Sequence, residues 1–321
     1  MTWCPCDLVI NMKIIFFGSD DFAAIHLEAL FDSKHKVLSC VTQPDKAKGR
    51  GMEISASPVK EAALRKGICV FQPMDLKEQN FLKELRALNA DLFVVIAYGR
   101  FLPTEVLAMP RTFAINVHSS LLPQYRGAAP INWAIINGER ETGISIIRIT
   151  PKIDAGDILA QRKMKILNSD TAVSLRARMK AIGQKLLLKT IDSIEKGTYT
   201  FTVQDDRAAT LAPKLTKELG QIQWSKPARS ISNLARGILP WPGAYTYYQG
   251  KLLKILETEL VPKSFRSYSP GEVAKVDKKG FTVATADQGL LVKSVHLEAS
   301  TPMSAYQFMV GHRLEPGFKF L

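Results

Sequence analysis

The sequence predicts an α/β protein in which a doubly wound parallel sheet is followed by a small all-β domain. Up to about residue 200, β-branched and aromatic runs alternate with amphipathic helical stretches, as in a parallel sheet covered by helices. After about residue 230 the pattern changes to short β-like runs separated by turn residues, which is typical of a small barrel. A length of 321 residues is enough for two domains, each with its own core.

The composition indicates a globular protein with anionic partners. Apolar residues make up 46% and charged residues 23%, a balance too apolar for disorder. Four cysteines are too few for a disulfide scaffold, and no apolar run approaches the roughly 18 residues of a membrane span. The apolar N-terminus lacks the basic segment of a signal peptide, so we expect a cytoplasmic protein. A net charge of +13 favours nucleic acid or an anionic membrane surface as a partner.

The elements of the first domain, residues 12–200, can be assigned in order along the chain. Residues 1–11 are an N-terminal extension, because a clean strand pattern begins only at Met12. Ser57 is the expected N-cap of a helix that starts with Pro58. The predicted strands are 13–17, 36–42, 68–71, 91–97, 112–117 and 143–149. The predicted helices are 22–31, the stretch from Pro58, 78–88, one beginning near Ala129, and 172–196.

A linker over residues 201–230 precedes the second domain, residues 231–321. The linker carries Pro and Lys and has little periodicity. The predicted strands of the second domain are 244–249, 252–257, 272–276, 281–284 and 290–295, with a short helix at 304–310. Residues 212–321 hold 15 Lys and Arg but 8 Asp and Glu. This excess favours contact with a nucleic-acid backbone, although a generally basic proteome would produce it as well.

Candidate chemistry is concentrated at the end of the strand over 112–117. Asn116 and His118 are two residues apart, so both side chains point to the same side of the sheet, at the edge where doubly wound sheets bind ligands. An Asn amide can stabilise a developing oxyanion, and a His moves protons near neutral pH. Asp154, after the next strand, could orient the His ring. Together these residues are suited to acyl transfer without an enzyme nucleophile. Taken singly, they have structural explanations as well: Asn116 and His118 could be a hydrogen-bonded structural pair, and Asp154 could be a turn residue.

The residues around this strand end match a known signature. Asn116-x-His118, followed by Ser-Leu-Leu-Pro at 120–123 and by Gly127, resembles the signature of enzymes that use 10-formyltetrahydrofolate as a formyl donor. Further segments are similar to the methionyl-tRNA formyltransferase family in particular, and the similarity runs from about Met12 to Leu321. These segments are 12–23, 121–131, 212–215, 240–245 and 311–314.

The resemblance implies a Rossmann-like formyltransferase domain, a linker and a C-terminal tRNA-binding barrel of OB type. It implies catalytic roles for Asn116, His118 and Asp154. It also implies a folate-binding segment formed by Ser120, Leu121, Leu122 and Pro123. The co-substrate would be 10-formyltetrahydrofolate and the acceptor the α-amino group of methionyl-initiator tRNA, giving N-formylmethionyl-tRNA for translation initiation. No metal is expected, and because no feature of the sequence demands an oligomer, we expect a monomer.

A basic loop over residues 45–51 is the candidate contact for the acceptor end of the tRNA. The resemblance implies that this loop inserts there, with Arg50 stacking on a base or pairing with phosphate, and with Lys46 and Lys48 contacting phosphates. Lys214 and Lys217 of the linker, with the basic barrel, would hold the acceptor arm mainly through its backbone. A solvated charge run is the simpler interpretation of such a loop.

Three other functions stay open at this level. A formyltransferase for an amino-sugar nucleotide would share the Asn-x-His, Ser-Leu-Leu-Pro and Asp features, but it would not need a large basic surface. A hydrolase that releases formate from the folate would use the same site. A non-catalytic nucleic-acid-binding protein would have no need of Asn116, His118 and Asp154 together. The lack of Gly-x-Gly-x-x-Gly after Phe17 weakens the case for a dinucleotide oxidoreductase.

Overall fold

A computed structural model describes residues 11–48 and 53–320, without the side chains of residues 47, 48 and 53. The chain divides into two compact units, each built from separate stretches of sequence. Unit 1 comprises Met1–Arg126, Gly143–Lys163 and Ala177–Thr210. Unit 2 comprises Gly127–Thr142, Met164–Arg176 and Leu211–Leu321. The domain boundaries expected from the sequence stay a prediction.

The secondary structure alternates between strands and helices first and is dominated by strands later. The strands are β1 (Lys13–Gly18), β2 (Lys36–Val41), β3 (Lys46–Lys48), β4 (Glu53–Ser55), β5 (Cys69–Phe71), β6 (Leu92–Ile96), β7 (Ala114–His118), β8 (Arg126–Gly127), β9 (Glu141–Arg148), β10 (Ile158–Lys165), β11 (Leu211–Ala212), β12 (Ala244–Tyr248), β13 (Lys251–Val261), β14 (Val273–Asp277), β15 (Gly280–Ala284), β16 (Gly289–Leu297) and β17 (Met303–Ser304). The helices are α1 (Asp21–Phe31), α2 (Pro58–Arg65), α3 (Gln79–Ala87), α4 (Thr104–Leu107), α5 (Pro130–Ile136), α6 (Ala172–Glu195), α7 (Ala228–Gly237) and α8 (Ala305–His312). Two short 3₁₀ turns lie at Asp206–Ala208 and Glu218–Gly220.

A seven-stranded sheet has the strand order β10-β9-β7-β6-β1-β2-β5. Strands β5, β2, β1, β6 and β7 pair in parallel, as predicted. Strand β9 runs antiparallel to β7, so the prediction of an entirely parallel sheet is wrong at this edge. The interior of β9 is buried on both faces, and such an apolar run has the same composition in either strand direction. Strand β10 was not predicted because its polar sequence, with exposed Gln, Arg and Lys, belongs to a half-solvated edge.

The core of unit 1 surrounds β1. All of Ile14, Ile15, Phe16 and Phe17 are completely buried, as expected for a strand covered on both faces. The starts of α1 and α2 follow local capping rules. Asp20 accepts a hydrogen bond from the Ala23 amide at 2.9 Å and starts α1, while Ser57 caps α2 ahead of Pro58, as predicted. Helices α1 and α2 therefore begin at residues that the sequence marks locally.

The basic segment that follows β2 contains an ordered hairpin. Strands β3 and β4 pair antiparallel, with Lys46 opposite Ser55 and Lys48 opposite Glu53. The expectation of a loop is therefore wrong for residues 46–48, which form a strand. Residues 49–52 lie outside the described part of the chain. The short hairpin leaves the end of β2 on the same edge of the sheet as the end of β1, because these two strands are parallel.

Unit 2 is built on an antiparallel sheet with the order β12-β13-β16-β15-β14, and β17 pairs with β16. This confirms the second, all-β region of the prediction. Helix α7 begins inside the predicted linker and was not predicted from the sequence. Helix α7 packs on α5, where Asn132 Nδ2 donates to the Gly237 carbonyl at 2.7 Å. A Cβ at Gly237 would lie 2.8 Å from Ile136, so the two helices approach closely because this position is Gly. Throughout the described residues, each helix is too short or too polar to cross a bilayer.

Candidate active site

Asn116 and His118 lie at the end of β7, between β6 and β9. Val95 is the register partner of Asn116 on β6, and Ser145 is the partner of His118 on β9. The two side chains project from the same face of the sheet because strand residues two apart do so. His118 is 5% exposed and Asn116 is half-buried. This is the carboxyl edge of the parallel strands, where ligand crevices form in this class of sheet.

The carboxylate of Asp154 contacts both Asn116 and His118. Asn116 Nδ2 donates to Oδ1 of Asp154 at 3.2 Å, and Oδ2 of Asp154 lies 3.5 Å from Nδ1 of His118. Asp154 takes up a left-handed backbone conformation, with φ of 47°, which Asp tolerates better than most residues. Of the three side chains proposed from the sequence as a catalytic set, Asp154 thus contacts both of the others, within unit 1.

The His118 ring has a second polar partner. Its Nε2 lies 2.8 Å from the backbone carbonyl of Tyr125. A carbonyl can only accept, so Nε2 carries a proton and donates it. A second proton, on Nδ1, would give an imidazolium ion facing the carboxylate of Asp154, which stabilises that charge. The site can therefore hold a proton on the imidazole next to the amide of Asn116.

The predicted folate-binding segment forms a tight turn after β7. Ser120 is completely buried and its hydroxyl donates to the Gln124 carbonyl at 2.6 Å. Leu122 is also buried; its amide donates to Ser145 Oγ at 3.0 Å. Leu121 and Pro123 are half-exposed. Because the Ser120 and Leu122 side chains are buried, a ligand can contact only the backbone of this segment and the apolar surfaces of Leu121 and Pro123.

A polar network supports the Asp154 turn and contains residues that the sequence analysis missed. The Gln204 side-chain amide donates to the carbonyls of Asp154, at 2.9 Å, and Gly156, at 2.7 Å. Its Oε1 accepts two hydrogen bonds from Arg126, whose Nη2 also pairs with Asp206 at 2.7 Å. Gln204 falls in the segment interpreted as a linker, where no periodicity marks it as part of a site. Arg126 lies within the family-like segment 121–131, but its sequence gives no sign of this partner.

The predicted tRNA-binding cations are distributed over both units. Lys46 is exposed on β3 of unit 1, with Nζ 2.5 Å from Gln43 Oε1. The side chain of Lys48 and the whole of Arg50 lie outside the described residues. Lys214 and Lys217 are exposed in unit 2, just after β11. Their exposure permits phosphate contact, and their role stays a prediction.

Comparison with protein families gives two matches that together cover most of the chain. Residues 12–191 match the family described as formyl transferase, and residues 214–313 match the formyl transferase C-terminal domain. The chain is 45% identical over 307 residues to the methionyl-tRNA formyltransferase of Caldanaerobacter subterraneus subsp. tengcongensis, covering 95% of this chain and 99% of that one. It is 41% identical to the methionyl-tRNA formyltransferase of Geobacter metallireducens, covering 96% and 98%.

Solved structures with the same fold have much lower sequence identity. An N-formyltransferase from Helicobacter canadensis, in complex with folinic acid and dTDP-3-aminofucose, has a TM-score of 0.67 at 20% identity and covers 88% of this chain and 98% of that one. HypX from Aquifex aeolicus, in complex with tetrahydrofolic acid, has a TM-score of 0.64 at 18% identity and covers 94% of this chain and 47% of that one. At this identity the similarity establishes the fold alone.

Proposed function

The chain belongs to the methionyl-tRNA formyltransferase family, and we propose that it transfers the formyl group of 10-formyltetrahydrofolate to the α-amino group of methionyl-initiator tRNA. The product is N-formylmethionyl-tRNA, which initiates translation. The observation that carries the proposed chemistry is the Asp154 carboxylate, shared between Asn116 and His118 at the strand end. Membership of the family indicates the two substrates, and the geometry of the three side chains supports an acyl-transfer site.

The reaction exchanges one carbon–nitrogen bond for another. The methionyl amine attacks the formyl carbon, so a new N–C bond forms and a tetrahedral oxyanion results. Collapse of the oxyanion breaks the bond to N10 of the folate, and the proton lost by the amine ends on N10. Free α-amino groups titrate at roughly 7.7–8.0, so a fraction of the amine is nucleophilic near neutral pH. Binding both substrates together lowers the entropic part of the barrier.

We assign the oxyanion to Asn116 and His118. An amide nitrogen has two N–H groups, and Asp154 takes one of those of Asn116. The other donates to the oxyanion, and one donor of this kind is typically worth about 3–4 kcal/mol. Protonated His118, stabilised by Asp154, adds positive charge beside the same oxygen. As the bond to N10 breaks, His118 gives its Nδ1 proton to N10, and the neutral imidazole with Asp154 takes up the proton that the amine loses.

Substrate contacts in this proposal come from three places. The turn over Ser120–Pro123 holds the folate through its backbone and the half-exposed Leu121 and Pro123. Lys46, Lys48 and Arg50 contact the acceptor end, and Lys214 and Lys217 the backbone of the acceptor arm. The protein works as a monomer in the cytoplasm and needs no metal.

A sugar-nucleotide acceptor is the second candidate, because the structural relatives include an N-formyltransferase in complex with dTDP-3-aminofucose. That relative is 20% identical and shares the fold alone. The methionyl-tRNA formyltransferases are 41–45% identical over nearly the full length of both chains. The full-length similarity favours the tRNA acceptor.

A formyl-transfer assay with parallel acceptors tests the proposal. 10-Formyltetrahydrofolate would be incubated with methionyl-initiator tRNA, methionyl-elongator tRNA, free methionine and an amino-sugar nucleotide. Transfer to the initiator tRNA alone supports the proposal. Transfer to the sugar nucleotide without transfer to either tRNA would be consistent with the assigned catalytic residues but would contradict the proposed tRNA acceptor.

A further inference from the structure

We propose that Gln204 is a positioning residue that fixes both polar partners of His118, and thereby aligns the catalytic trio. This inference rests on the proposed function, because the trio's role is part of it. The hydrogen bonds of the Gln204 side chain go to the Asp154 turn and to Arg126 rather than to His118. Gln204 acts through the backbone of the turn that carries Asp154 and through Arg126.

The Gln204 amide uses its full hydrogen-bonding capacity. A primary amide has two N–H donors and an oxygen with two lone pairs. The nitrogen donates to Asp154 O at 2.9 Å and Gly156 O at 2.7 Å. The oxygen accepts from Arg126 Nε at 3.1 Å and Nη2 at 2.8 Å. The residue is 8% exposed, so water competes little for these four bonds.

The network reaches both ring nitrogens of His118. On one side, Gln204 binds the backbone of Asp154, whose carboxylate faces Nδ1. On the other, Gln204 binds Arg126, the neighbour of Tyr125, whose carbonyl accepts from Nε2. One buried amide therefore connects the two chain segments between which the imidazole lies. A shift of either segment would change the direction of a hydrogen bond to the ring.

The Asp154 turn needs such support because its own conformation is unfavourable. Asp154 has φ of 47°, in the left-handed region. Residues 151–153, which precede it, are exposed and provide little packing. Gly156 lies so close to β9 that an added Cβ would meet the Arg148 carbonyl, which anchors the far end of the turn. Gln204 holds the backbone of Asp154 through its carbonyl.

Two Gln204 variants and one matched control test the inference. Gln204→Glu keeps the size and the acceptor for Arg126 but removes both N–H donors, and Gln204→Leu removes donors and acceptor. Gln184→Leu is the control, because Gln184 is half-buried in unit 1 and donates to the Ile25 carbonyl at 2.7 Å, as Gln204 does to its carbonyls. We expect both Gln204 variants to lower kcat roughly 10- to 100-fold, as misplaced catalytic groups do, with KM for both substrates within about twofold of the wild type. The control keeps the wild-type kcat.

A double-variant cycle separates positioning from a general structural role. If Gln204 acts through Asp154, adding Q204E to Asp154→Asn changes single-turnover formylation little, because the group it positions is already absent. A multiplicative further loss overturns the inference. So does a wild-type kcat in both Gln204 variants, or failure of both to fold by circular dichroism, which would make the role purely structural. Absence of transfer by the wild-type enzyme would instead overturn the proposed function.

Discussion

Asn116 and His118 share the carboxylate of Asp154, one through each of its oxygens. The sharing fixes the amide and the imidazole relative to each other, because both are tied to one rigid planar group. It also places the Asp154 carboxylate next to the imidazole ring. This arrangement suits a reaction that needs an oxyanion to be stabilised and a proton to be transferred close to the same carbon atom.

Replacing His118 by Ala removes the proposed proton carrier. We expect kcat to fall by roughly 10²- to 10⁴-fold, the usual contribution of general acid–base catalysis, while the folate still binds. Turnover is measured by formylation of methionyl-initiator tRNA and binding by titration with the folate. His296→Ala is the control, since His296 also binds a backbone carbonyl, that of Ser300 at 2.8 Å. Near-normal turnover by His118→Ala would contradict the catalytic assignment of His118.

Asn116→Ala removes the proposed oxyanion donor. We expect kcat to fall by roughly 10²- to 10³-fold, as when one oxyanion donor is removed elsewhere. Asn116→Asp is nearly isosteric, but it places a second carboxylate against Asp154 and the developing oxyanion, so its effect should be at least as large. Both are measured by single-turnover formylation at saturating substrates. An Asp variant more active than the Ala variant would contradict the oxyanion role.

Lys214 and Lys217 are expected to contact phosphates. Replacing either with Ala should raise KM for the tRNA, and should lower the slope of log affinity against log salt by about one for each phosphate that is no longer neutralised. The affinity for the tRNA would be measured between about 50 and 200 mM salt. Lys293→Ala is the matched control in unit 2, because Lys293 is already paired with Glu257 at 2.6 Å. Unchanged slopes in both variants would exclude these lysines from the tRNA interface.

His35 should make the fold less stable in mild acid. Burial is the largest influence and lowers the pKa of His35 below its usual value of about 6.5, although Asp192 Oδ1 lies 3.3 Å from Nε2 and Glu195 also favours the charged ring. The unfolded chain therefore binds this proton more readily than the folded one. The stabilisation of the neutral ring is complete above about pH 6.5 and is lost as the pH falls below it.

Urea unfolding of the wild type and of His35→Gln, between about pH 5 and pH 8, measures this effect. The free energy of unfolding of the wild type relative to the variant should decrease as the pH is lowered, because the variant lacks the titrating ring and shares the other groups. A relative increase would mean that the ion pair with Asp192 outweighs burial.

The local elements of this protein could be predicted from its sequence. Strands such as β1 and β6 are apolar runs bounded by turn residues, and α2 begins at a Ser–Pro pair. Asn116 and His118 could also be assigned to one face, because strand periodicity depends only on spacing. The direction of β9 could not be predicted, since hydrophobic burial is the same in either orientation.

The sequence by itself determined which candidate catalytic and binding groups are present: the Asn-x-His strand end, the Ser-Leu-Leu-Pro turn and Asp154. The tertiary structure alone decided how Asp154 is shared between Asn116 and His118, and that Gln204, 50 residues further along the chain, binds its backbone. The tertiary structure also decided that the Tyr125 carbonyl accepts a hydrogen bond from Nε2 of His118. The bonds of Gln204 and of Nε2 are directional hydrogen bonds to backbone carbonyls, and every residue carries a carbonyl. Their partners are therefore set by where the folded chain brings the segments together, not by composition or periodicity.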